Sequence, residues 1–106
     1  MNAHNQPISE QYRLTAKAWV EADGAASMLE ETKSAVLSQM MARLGDMPVS
    51  KAELQVKASP EWHDYVTKMV RAREAANLLK VKLEYIRMKF SEWQSFEATA
   101  RAERRM

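Results

Sequence analysis

The chain has 106 residues, enough for one domain, and it is 46% apolar with only two Gly and three Pro, so it should fold, and into helix rather than strand. The absence of cysteine excludes disulfide staples, thiolate metal centres and Cys nucleophiles. The formal net charge of +2 permits an acidic or nucleic-acid partner without requiring one.

Residues 1–8, polar through Pro7, read as a loose arm. Helix 1 is expected over residues 9–44. Its apolar positions (Tyr12, Ala16, Trp19, Ala22, Ala26, Leu29, Val36, Leu37, Met40 and Leu44 among them) recur at helical gaps of three and four. Gly24 is its weak point, costing about 1 kcal/mol relative to Ala in a helix interior. With Ala22, Ala25 and Ala26 around it, Gly24 reads either as a small-residue patch for close helix approach or as a hinge. Gly45 and Pro48 end the helix. Residues 45–59 are expected to form a loop. Ser50 and Glu53 have the spacing of a capping box, which could open a short helix as far as Lys57.

Helix 2 is expected over residues 60–104, with Ser59 as its cap, Pro60 in its first turn and Glu61 at the positive end of its dipole. A rod of that length spans roughly 70 Å, too long for the wall of a compact globule. Trp62, Met69, Ala76, Leu83 and Phe90 fall seven apart, and Tyr65, Ala72, Leu79, Ile86 and Trp93 follow three behind, giving an a/d seam. Leu78, Val81, Tyr85 and Met88 form a second apolar stripe on nearly the opposite side. One partner helix cannot cover both. The expected fold is all-α: an elongated antiparallel hairpin, coiled-coil-like, with a long C-terminal helix. Counting back from the turn puts Trp19 near Tyr85 or Ile86, and the small patch near Leu79 and Leu83. The stripe of Leu78, Val81, Tyr85 and Met88 is then left for a homo-oligomer or a larger partner, and a homo-oligomer is the expectation.

No constellation for catalysis is visible. His4 and His63 stand apart, and the pairs Glu30/Glu31 and Glu21/Asp23 read as a solvated acidic face. The expectation is therefore no enzyme activity, no metal, no cofactor and no small-molecule substrate. No apolar run approaches 18 residues and no signal pattern opens the chain, so no membrane is expected and the cytoplasm is the expected location.

Charge is concentrated in the second half. Residues 59–106 carry ten Lys and Arg against seven acids, whereas residues 1–58 carry six against seven. Arg71, Arg73, Lys80, Lys82, Arg87 and Lys89 line helix 2. Cations flanking the seam disfavour a parallel self-pair. Two uses remain open for them: pairing with Glu21, Asp23, Glu30 and Glu31 of helix 1, or a track for phosphates with Tyr85, Phe90 or Trp93 stacking on bases. The seam position of Trp62, Phe90 and Trp93 argues that these three rings pack in the core instead.

The order of elements is an N-terminal helix with Tyr12 and Trp19, then a loop through Val56, Lys57, Ala58, Ser59, Pro60 and Glu61. A long helix follows, whose segment Leu79-Lys80-Val81-Lys82-Leu83-Glu84-Tyr85-Ile86-Arg87-Met88-Lys89-Phe90 leads to Trp93-Gln94-Ser95-Phe96-Glu97. Over residues 12–97 this resembles the small helical recombination-mediator proteins of phages, the UvsY type. The resemblance implies an oligomer in the host cytoplasm that binds single-stranded DNA and a recombinase, with Arg71, Arg73, Lys80, Lys82, Arg87 and Lys89 as the residues for DNA. The chain departs from that pattern in its shortness and its small basic excess. The alternatives are a protein–protein module, such as a phage adaptor or inhibitor of a host system docking through Leu78, Val81, Tyr85 and Met88, and a helical scaffold with no nucleic-acid role.

Overall fold

The computed structural model describes residues 6–105; His4, with the rest of the arm's first five residues, and Met106 lie outside them. The described chain is all-α, with helices α1 (Ile8–Glu31), α2 (Lys33–Ala42), α3 (Val49–Lys57) and α4 (Pro60–Arg105). It extends over 84 × 27 × 17 Å with a radius of gyration of 23.1 Å. A compact chain of this length would have a radius near 13 Å.

Each helix starts and stops for a local reason. The Pro7 carbonyl accepts the amides of Glu10 and Gln11 at 3.0 Å, opening α1. Gly45 takes φ of +80°, the left-handed conformation that lets the chain leave α2. The Ser50/Glu53 capping box does not form. Pro48 caps α3 instead, through its carbonyl to the Ala52 amide, and this starts the helix two residues earlier than Ser50 as cap would allow. Glu53 pairs with Lys57 at 2.8 Å. Ser59 caps α4 as its sequence position predicts: its Oγ accepts the Trp62 amide at 3.2 Å and donates to the Val56 carbonyl at 2.6 Å.

The expected single helix over residues 9–44 is broken, and the break is at Thr32 rather than Gly24. Thr32 Oγ1 donates to the Met28 carbonyl at 2.7 Å and lies 3.1 Å from the Tyr65 hydroxyl of α4, which itself donates to the Leu29 carbonyl. A side chain inserted into the helical ladder, beside a threonine bonded back to its own preceding turn, is a recognised cause of a bend. Gly24 plays neither expected part. It is exposed, and a Cβ there would meet nothing within 4 Å. Of its neighbours, Ala25 also faces solvent and only Ala26 is fully buried.

α1 runs antiparallel along α4, with Tyr12 bonded to Arg87, Ser27 to Arg73 and Thr32 to Tyr65. This register places Trp19 opposite the turn of Leu79 and Lys80, more than one turn from the expected Tyr85 or Ile86. Ala26 correspondingly faces the turn of Ala72 and Ala76, so small residues meet small ones where small was expected to meet Leu79 and Leu83. The cause is the closed end. α3 packs back on α2 instead of lengthening the hairpin, so counting from a simple turn overshoots. Ala26 and Ala76 are both 0% exposed, as a close approach of two helices requires. Leu83, Ile86 and Thr15 complete the seam, and Trp62, Ala52 and Val56 fill the closed end. The Trp62 and Tyr65 rings stack there with centroids 5.7 Å apart.

Two substitutions check this packing by urea denaturation. Gly24→Ala, in a helix interior with open space around it, should stabilise the fold by about 0.5–1 kcal/mol. Ala76→Leu should destabilise it by about 1–3 kcal/mol, because the added volume has to push α1 away.

Candidate binding face of the long helix

α1 covers only one side of α4. The side it leaves carries Leu78, Val81, Tyr85 and Met88, which are 71%, 61%, 61% and 68% exposed. At about 100° per residue these four lie opposite the buried row of Ala76, Leu83 and Ile86. They form an apolar ridge on the outer face of the rod, with Glu74 near one end and Glu92 near the other.

The six cations of helix 2 do not form one track. Arg73, Lys80 and Arg87 recur every seventh residue along one flank of the seam, whereas Arg71, Lys82 and Lys89 lie on the other flank. Two members of the first row are engaged within the chain. Arg73 Nη1 donates to Asp23 Oδ1 at 2.6 Å, its Nη2 to Glu30 Oε1 at 2.7 Å and to Ser27 Oγ at 3.2 Å, and its Nε to Glu30 Oε2 at 3.0 Å. These bonds, Glu30's first and then Asp23's, raise the guanidinium's pKa further above its ordinary value. The Arg73 hydrogen bonds in turn hold the Glu30 carboxyl below its usual range. Arg87 Nη2 donates to the Tyr12 hydroxyl at 3.0 Å, with the guanidinium 6.0 Å from the ring centroid. Of the two uses left open for the cations, Arg73 takes the intramolecular one with Asp23 and Glu30. Glu21 and Glu31 are exposed and make no salt bridge among the described residues.

Arg71, Lys82 and Lys89 are exposed and make no salt bridge among the described residues; the same holds for Lys80. Tyr85 projects from the ridge between Lys82 and Lys89, and these three line one open groove together with Leu14, Ala18 and Leu79. Here an exposed ring stands between two cations that make no salt bridge among the described residues.

The seam ends earlier than its heptads. α1 begins at Ile8, which lines a cleft of about 320 Å³ with Tyr12, Ile86, Arg87 and Phe90. Beyond that point residues 91–105 of α4 have no helix beside them among the described residues. Phe90 and Trp93, expected in the core, are 40% and 51% exposed, and Phe96 is 72% exposed. Trp62 is the one member of that expected trio that is buried. The Phe90 and Trp93 rings stack on each other at 6.0 Å. The signal for this bare segment lay in helix lengths: an antiparallel mate starting at residue 8 cannot reach past residue 90. His63 is exposed in the first turn of α4, and no group of three or more His, Asp or Glu converges among the described residues. No described helix is long and apolar enough to cross a membrane.

Compared with known protein families, curated proteins and solved structures, the chain gives no match.

The Arg73 clasp predicts a pH signature. Glu30's pKa is lowered in the fold, so the stability it contributes is complete above the usual carboxylate value near 4.5 and is lost as pH falls through its depressed value. The melting temperature of Glu30→Gln should lie below that of the parent at neutral pH. The gap should close on acidification below pH 4.5.

Proposed function

We propose that this chain is a non-enzymatic interaction module that docks another protein along the outer face of α4. The observation that carries this reading is the ridge of Leu78, Val81, Tyr85 and Met88, each more than half exposed on a helix whose other side is already packed. A continuous apolar ridge on a rigid rod suits insertion into a groove, with side chains at gaps of three and four as anchors. Lys82 and Lys89 along one edge favour a groove rimmed by acidic groups. The rod holds its surface ready before binding, so little ordering free energy opposes association.

A second reading is a recombination accessory factor holding single-stranded DNA, with a recombinase as its protein partner. Two things favour it: the placement of Tyr85 between Lys82 and Lys89, which suits one base stacked and two phosphates neutralised, and the resemblance to recombination mediators. It ranks second because Arg73 and Arg87 are engaged inside the chain and the remaining cations are few and split between two flanks.

A photo-crosslinking residue placed at Val81 in cells should capture a discrete protein that the same residue at His63 does not, and Met88→Asp should abolish the capture. Fluorescence anisotropy with a labelled single-stranded oligonucleotide at low salt tests the second reading. Binding that falls steeply with salt and is lost in Lys82→Glu/Lys89→Glu would move DNA to first place. No binding by the parent chain would remove it.

A further inference from the structure

The acids that bound the outer ridge decide what can cover it. Leu78, Val81, Tyr85 and Met88 step by three, four and three, the a/d spacing of two heptads. Glu74 and Glu92 stand at the next seam positions, d before Leu78 and a after Met88. At about 100° per residue both lie on the midline of the ridge. Glu74 shares an open surface with Leu78 and Val81, and Glu92 shares one with Tyr85 and Met88. Both carboxylates are exposed and make no salt bridge among the described residues. Lys82 and Lys89 occupy the e edge of this seam, and Asn77, Glu84 and Ser91 the g edge.

A second copy of the chain fits the ridge badly in either direction. Glu74 and Glu92 are equally far from its centre, so an antiparallel copy sets Glu74 on the second copy's Glu92 at both ends. It also sets the Lys82 and Lys89 edges on each other. Sliding by one heptad puts Glu74 on the second copy's Tyr85, or Glu92 on its Val81, a carboxylate against an apolar surface with no partner. A parallel copy gains Glu84 beside the second copy's Lys89, but it sets Glu74 on Glu74 and Glu92 on Glu92 within the seam itself.

We propose that the ridge takes one helix of a different protein, and that this helix carries Lys or Arg at the two seam positions facing Glu74 and Glu92, about 27 Å apart. Between them it presents apolar side chains over two heptads, and it presents Asp or Glu along the edge facing Lys82 and Lys89. This rests on the docking role of the ridge and adds which partner is admitted. The acids that repel a second copy become the contacts that fix the register of the right helix.

Fluorescence anisotropy of two labelled synthetic helical peptides against the full chain tests this. Both peptides have leucine at the four central seam positions and glutamate along both edges; one has lysine and the other glutamate at the two bounding seam positions. The lysine-bounded peptide should bind more tightly by about tenfold or more. Glu74→Lys/Glu92→Lys, with helical circular dichroism unchanged, should reverse that preference, and Val81→Asp/Met88→Asp should abolish binding of both. Equal affinity for the two peptides overturns the inference and leaves the docking role standing. Failure of both to bind, or binding indifferent to Val81→Asp/Met88→Asp, overturns the two together. Sedimentation equilibrium supplies the other arm: self-association of the parent chain that Val81→Asp/Met88→Asp removes would mean that the ridge accepts a second copy, and the inference fails.

Discussion

The grip of Arg73 on α1 is the constraint around which the structure is arranged. One guanidinium reaches Asp23, Ser27 and Glu30, three positions spread over two turns of one helix face, so it fixes both the rotation of α1 and its height along α4. A planar fork with several donors can do this; an ammonium could satisfy the charge without fixing the register. Beside the clasp, Ala26 and Ala76 let the two backbones approach closely. The charged contact sets where the helices meet, and the alanines set how near. Everything left outside follows from that placement: α1 runs out at Ile8, the outer ridge stays bare, and α4 continues alone.

The core formed in this way is thin. Its fully buried members are alanines, and the larger side chains Trp62, Leu83 and Ile86 are distributed along the rod instead of gathered in one place. Such a chain gains less from burial than a globule of equal length, while α4 keeps large apolar groups in water. That imbalance is the physical argument for partners, and it holds whichever macromolecule occupies the ridge.

Much of this could be read in the sequence. The all-α elongated form, the cap of α4 at Ser59, the turn at Gly45 and the two-sided character of helix 2 all follow from periodicity and turn chemistry, which are local. What was not legible depended on long-range contacts. Thr32 looks like an ordinary helical residue until Tyr65, more than thirty residues away, places its hydroxyl against that turn. The register at Trp19 is not legible either, because the connection is not a simple bend: α3 folds back on α2. The heptads through Phe90 and Trp93 are sound as a pattern. A pattern shows that a face is apolar, however, and the length of the neighbouring helix decides whether it is covered. The separation of the cations into two flanks was available from helical geometry, but the engagement of Arg73 and Arg87 was not.

The asymmetry between the two ends of the rod also governs how it comes apart. At the closed end α2, α3 and the start of α4 hold one another around Trp62, Val56 and Ala52, and Tyr65 bolts the kink of the first arm to the second. Toward the other end the layers thin from three helices to two and then to one. Thermal fluctuations therefore melt backbone turns progressively inward from the C-terminus, and opening of the hinge region comes last. The molecule behaves less like a unit that is either folded or not than like a clasp knife, firm at its pivot and increasingly loose toward its tip.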